Sequence, residues 1–317
     1  ELQARFTEVG ADGQAEQRRA WREFLCTTND LGTYCSGVIL DAEGLRQATT
    51  DGSSFVDVLQ EHGVVVGARV DTGLLPLNGY GEKGTDGMVN LDERCKDLYG
   101  RGVRLAKWRC VFECNMELPT DVAVWENSTR MAECAKICQA NGLAFAAEVS
   151  VPQMPGNHSI ERTAYVSEKV FSHTFRLLNE HDVDLEAALI LPTMCLPGFE
   201  AAPARQDEVS YFTVRALCRT VPPALSGIHI LPSGLTPEDS ARNMYAMQEA
   251  TLAGPWPVIP VYGPALLAPA LAALTSSGDM AAAREVLRKF LRASSAAQVP
   301  VQPETAEAAP AADEVSA

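Results

Sequence analysis

The chain has 317 residues, 26 of them basic and 41 acidic, for a formal net charge of −15. Such a surface repels phosphate backbones, which argues against general nucleic-acid binding. No apolar run approaches the roughly 18 residues that a membrane-spanning helix needs, so no membrane insertion is expected.

The sequence opens on Glu1, not Met, and Leu2 to Phe6 reads as the interior of a helix. Residues are therefore expected upstream, where any targeting signal would lie. Short, nearly continuous apolar runs then recur: 37–40, 64–70, 105–111, 144–148, 185–191, 227–231 and 258–261. Runs of that kind mark parallel strands buried on both faces.

Helical signals fall between them. Asn127 or Ser128 can cap a helix that places Met131, Cys134, Ala135 and Cys138 on one face and ends at Gly142. Residues 160–178 carry Val170, Phe171, Phe175 and Leu178 at helical spacing. Thr236-Pro237-Glu238-Asp239 is a helix start, and residues 279–292 form a last helix. From Ser294 onward Ala, Pro, Glu, Ser and Gln take over, so 294–317 reads as a disordered or loosely docked tail on a domain spanning 1–293.

Strand–helix alternation means a parallel α/β domain, either an open doubly wound sheet or an eight-stranded barrel whose first strand precedes Glu1. No GxGxxG follows any of the strands, which weakens a dinucleotide-binding reading. The nine cysteines contain no CxxC pair and have no nearby histidine cluster, so they read as buried thiols of a reducing compartment. No metal or other cofactor is expected. Asn127-Ser128-Thr129 and Asn157-His158-Ser159 match the glycosylation pattern by chance in a chain showing no secretory signal. His229, between apolar strand residues, has no Ser or Cys partner at meaningful spacing and reads as structural.

Several motifs narrow the fold. Ala106-Lys107-Trp108-Arg109-Cys110 resembles the AKWRC strand of class I fructose-bisphosphate aldolases. Gly37-Val38-Ile39-Leu40 and the run from Gly63 to Gly67 with Val70-Asp71 and Gly73 are similar to the family's second and third strands. Leu91, Glu93, Arg94 and Cys95 resemble its LSERC turn, and Arg219 to Ala224 its RRTVPPA segment. Tyr165-Val166 with Glu168-Lys169-Val170 and the Tyr262-Gly263 loop fall in the same order. The resemblance implies a (β/α)8 TIM barrel with its site at the C-terminal strand ends, and a first strand upstream of residue 1.

The same resemblance places the functional positions. The family forms a Schiff base on a lysine within LEGTLLKPN; here Leu185 to Thr193 aligns with it and Leu191 occupies the lysine position. Leucine cannot form an imine. One phosphate is held in the family by a Ser-Gly-Gly turn and a Gly-Arg pair. Their counterparts are Pro232-Ser233-Gly234 and Gly263-Pro264, and proline supplies neither guanidinium nor N–H. Asp71, Lys107 and Glu148 match the catalytic neighbourhood as vestigial residues. Arg5, Arg109, Ser233, Gly234 and Gly263 are candidate remnants of substrate binding. Arg69 replaces a lysine and Ser150 a glutamate. Lys107 and Glu148 are expected to persist as an ion pair on adjacent strands.

The resemblance therefore implies a catalytically inactive aldolase-like protein, a scaffold or regulatory subunit in the cytoplasm or on the cytoskeleton. Its partners would be other proteins or homologous aldolase subunits. Two alternatives stand beside it: an active glycolytic aldolase, and a sensor that binds a sugar phosphate weakly without turning it over.

Overall fold

The computed structural model describes residues 2–232, 235–250, 254–261 and 263–296. In chain order the first elements are helices α1 (Leu2–Glu8), α2 (Ala15–Cys26) and α3 (Leu31–Tyr34), strand β1 (Gly37–Leu40), helix α4 (Phe55–Glu61) and strand β2 (Val65–Arg69). A hairpin of β3 (Gly73–Pro76) and β4 (Lys83–Asp86) leads to α5 (Leu91–Gly100) and β5 (Leu105–Val111). Regular alternation follows: α6 (Asp121–Ala140), β6 (Ala144–Ser150), α7 (Ile160–Glu180), β7 (Ala188–Pro192), α8 (Gln206–Thr220), β8 (Gly227–Ile230), α9 (Pro237–Glu249) and β9 (Val258–Pro260). Helices α10 (Pro264–Ser277) and α11 (Met280–Ala296) close the described chain.

The main sheet has the order β1-β2-β5-β6-β7-β8-β9, and each neighbouring pair is parallel. Spatial order therefore follows chain order without reversal. A doubly wound sheet reverses at a switch point, whereas a barrel does not. The α/β barrel reading holds, with seven of its strands among the described residues.

Each strand presents two different faces. Ala106, Trp108 and Cys110 of β5 belong to the layer packed under the helices, together with Phe24, Phe55, Phe145 and Ile190. Cys110 Sγ reaches the Asn127 carbonyl of α6, which fixes that face as the outer one. The alternate residues Lys107 and Arg109 point inward. Leu191 is 2% exposed yet lies outside that outer hydrophobic layer. It is packed within the barrel.

Several sequence readings shift. The hairpin β3–β4 interrupts the strand–helix rhythm, and its second strand, Lys83-Gly84-Thr85-Asp86, has no apolar run to announce it. Helix α6 starts at Asp121, not near Asn127, because the Thr120 hydroxyl accepts the Ala123 N–H and caps it. Asn127 lies mid-helix and fully buried. Its amide accepts the Thr85 N–H at 3.1 Å and donates to the Lys83 carbonyl at 2.9 Å, tying the hairpin to α6. The folded chain offers no glycan access to that asparagine. Thr236 caps α9 with Pro237 in its first turn, as the sequence predicts. Helix α11 continues through Ser294 to Ala296. The rest of the expected tail, 297–317, lies outside the described residues, as do Ser233, Gly234 and Tyr262.

The thiols are free, and seven of the nine are buried, with Cys35 partly accessible and Cys218 exposed. Cys138 Sγ lies 3.7 Å from Cys95 and 3.9 Å from Cys134. Among the described residues no group of side chains is arranged to hold a metal ion, and no helix is long and apolar enough to cross a membrane.

Candidate active site

Parallel register aligns the inward side chains at the C-terminal end of the sheet. Arg69 pairs with Lys107, Arg109 with Glu148, and Glu148 with Leu191. Paired residues of parallel strands share a face. One position beyond the Ile190–Ile228 pair, Leu191 stands beside His229, and His229 in turn pairs with Ile259. A single inner layer thus runs Arg109, Glu148, Leu191, His229, Ile259.

Charges concentrate on β2, β5 and β6. Lys107 Nζ donates to Glu148 Oε2 at 2.5 Å, and Arg109 Nε stands 3.3 Å from Glu148 Oε1 without completing a hydrogen bond. Arg69 Nε donates to Asp71 Oδ1 at 2.8 Å, while Asp71 Oδ2 is buried without a partner. Burial pushes the Asp71 carboxyl above the usual range, and the neighbouring Arg69 and Lys107 cations pull the other way. Sequence reading foresaw the Lys107–Glu148 pair but not the Arg69–Asp71 one; the i, i+2 spacing on an extended segment was its signal.

Asp71 is positioned from behind. Arg94, in the turn that opens α5, donates to the Val70 carbonyl at 2.9 Å and also to the Gly87 carbonyl. Gly87 has φ 136°, and a Cβ there would meet the Asp71 backbone at 3.0 Å and Trp108 at 3.1 Å. Only glycine permits that approach. The LERC-like turn therefore braces the site.

The β7 end is different. Leu191 has no polar group, and Thr193 spends its hydroxyl on Val151, bonding both its N–H and its carbonyl at 2.9 Å. Pro232 is buried after β8, and an added Cβ on Gly263 would lie 3.4 Å from its ring. The two loops expected to grip a phosphate thus meet at a proline. Gly263 precedes α10, whose first residue is Pro264 and supplies no N–H. His229 is pushed down to about 4 by burial, so its ring is neutral near pH 7. Arg5 does not join the cluster: its guanidinium pairs with Glu8 on α1 at 2.9 Å.

Comparison with known proteins agrees with this architecture. The family model "Glycolytic: Fructose-bisphosphate aldolase class-I" matches residues 1–315. A fructose-bisphosphate aldolase of Dictyostelium discoideum is 38% identical over 302 residues, covering 93% of this chain and 84% of the relative. Human fructose-bisphosphate aldolase C is 38% identical over 284 residues, covering 88% and 77%. Among solved structures, the Plasmodium falciparum aldolase in complex with TRAP and a small-molecule inhibitor superposes with TM-score 0.89 at 36% identity, covering 94% of this chain and 86% of that one. The chain belongs to the class I fructose-bisphosphate aldolase family.

Proposed function

We propose that the chain keeps the aldolase barrel without its imine chemistry and serves as a non-catalytic subunit of a protein assembly. One observation carries this reading. The strand position facing Glu148 holds Leu191. Schiff-base catalysis needs an amine there to attack the substrate ketone, lose water, and accept the electron pair released when the carbon–carbon bond breaks. Loss of a covalent nucleophile costs on the order of a million-fold in rate in well-studied hydrolases. Pro232 and Pro264 remove donors from the phosphate grip at two further positions. The partners would be other proteins or homologous aldolase subunits; the matched Plasmodium structure has an aldolase barrel with TRAP bound, which is consistent with that role.

A second reading is an active fructose-bisphosphate aldolase. The names of the relatives support it more directly than they support a scaffold. Lys107 supplies the observation in its favour: a primary amine stands inside the site, 2.5 Å from a carboxylate able to move protons. Against it, that amine is held as an ion pair two strands from Leu191.

Borohydride trapping with fructose 1,6-bisphosphate, read by intact mass, separates the two. The binding-subunit reading expects no covalent adduct. A stoichiometric adduct would sink it, and peptide mapping to Lys107 would establish the second reading. A thermal-shift series with the same sugar phosphate tests the weak-sensor alternative, which requires a concentration-dependent rise in melting temperature.

A further inference from the structure

We propose that the groove between α1, α2, α10 and α11 binds a small monocarboxylic acid with an apolar body, seated on Arg284. Every residue that lines this groove lies on those helices or in the turns at Thr27 and Thr50. No strand residue takes part, so the proposal stands whether or not the barrel keeps its imine chemistry.

The groove encloses about 470 Å³, the size of a small-ligand site. Arg284 is the one cation among the residues lining it, is partly accessible, and has no carboxylate partner among the described residues. The neighbouring acids are engaged elsewhere. Glu23, which also lines the groove, is held by Arg19 at 2.7 Å and by the Thr50 N–H at 2.8 Å. Glu285, the next residue on α11, faces Arg288 at 3.8 Å and Arg292 at 4.0 Å. Two contacts orient the Arg284 guanidinium without neutralising it. Its Nη2 donates to Thr27 Oγ1 at 3.1 Å, and its central carbon stands 5.8 Å from the centroid of the Phe24 ring, which stacks on Trp21. Its Nε is buried with no partner. A planar cation held in place without a counter-ion is a preformed seat for a carboxylate.

The rest of the lining selects the body of the ligand. Phe6, Ala20, Trp21, Leu274 and Met280 make the walls mainly apolar. The hydroxyl protons are spent within the protein: Thr27 Oγ1 donates to the Glu23 carbonyl at 2.7 Å, Thr50 Oγ1 to the Glu23 carboxylate at 2.9 Å, and Thr275 Oγ1 to the Leu271 carbonyl at 2.9 Å. A polyhydroxylated body placed here would lose hydrogen bonds to water and regain few. An alkyl or phenyl body would lose none and would bury its surface. One cation balances one negative charge, so a monoanion fits and a phosphate dianion leaves a charge uncompensated.

The test titrates the full chain with 4-phenylbutanoate, 4-phenylbutan-1-ol and protonated 4-phenylbutylamine by saturation-transfer NMR, which compares one body under three charges. The acid is expected to bind at least about five-fold tighter than the alcohol, with the ammonium weakest. Arg284→Gln should bring the acid to the affinity of the alcohol while moving the alcohol by less than about two-fold. Arg284→Lys should keep part of the advantage of the acid. Ala20→Trp, at an exposed position of α2, should weaken acid and alcohol together by filling the groove. Thermal melting of each variant checks that it is folded. An acid that binds no tighter than the alcohol, or not at all, overturns the proposal. So does an acid preference that survives Arg284→Gln undiminished, or an acid affinity untouched by Ala20→Trp, since either places the ligand elsewhere on the molecule. A borohydride adduct bears on the functional reading above and leaves this site as it stands.

Discussion

Glu148 faces two cations at once, which makes it the residue on which the inner cluster depends. Lys107 and Glu148 are both largely withdrawn from solvent, with side chains 18% and 9% exposed. Removing one member of such a pair leaves its partner uncompensated. Glu148→Gln should therefore lower unfolding free energy by about 3 kcal/mol in urea titration, and the double change Lys107→Met with Glu148→Leu should recover part of the loss. A loss under about 1 kcal/mol for the single change would mean that water already screens the pair. His229 gives a pH signature. Its folded-state titration is depressed to about 4, below an unfolded value near 6.5, so below 6.5 the unfolded chain binds the extra proton. Stability contributed by the neutral ring is present above pH 6.5 and is lost as pH falls toward 4. Asp71, raised by burial, works in the opposite sense, so the effect is read as a difference between wild type and His229→Gln. The variant should show a flatter stability profile between pH 6.5 and 4, by roughly 2–3 kcal/mol across the window. Identical slopes would place the His229 ring in water.

At the scale of elements, the sequence was most legible where burial is two-sided. Strands β1 and β5 match their apolar runs to the residue, and Thr236-Pro237 gave the start of α9 through cap chemistry. Asn127 misled because an asparagine before an apolar face is also what a cap looks like. Here tertiary demand won: its amide satisfies backbone groups of a hairpin far away in the chain. That hairpin was illegible for a related reason. Lys83-Gly84-Thr85-Asp86 has no apolar alternation and is held as a strand by its pairing with β3 and by Asn127 of α6, not by its own propensity. Asn127→Ala should leave the Thr85 N–H and Lys83 carbonyl unpaired in a dry interface and cost about 2 kcal/mol. Hydrogen exchange should accelerate at Thr85 before it does on β6. Unchanged exchange there would show that the hairpin is held by packing alone.

For the whole molecule, the barrel was readable from motifs spread along the chain, while the site was readable only in part. The family resemblance pointed to Lys107, Arg109, Glu148 and Leu191, and parallel register sets all four on one inner face. It could not show that Arg5 turns to Glu8, since a helix-surface arginine takes the nearest carboxylate at i+3. Nor could it show that His229 joins the ring beside Leu191, because that depends on how β7 and β8 align. Burial also sets where the fold opens last: β6 is buried at six of its seven positions and pairs along its whole length with β5. Amides of β6 should exchange slowest of all the strands, approaching the global unfolding limit. Faster exchange there than in the short, more exposed β1 would contradict an opening order set by burial. The distribution of sulfur gives this molecule a built-in clock. Cys218 is open to reagents in the folded chain, Cys35 is half-shielded, and the other seven thiols are sealed under helices. A maleimide added over time should therefore count one fast event, one slower event, and then a cooperative burst of seven when the wall gives way. Any partner that covers α8 would silence the first tick without delaying the last.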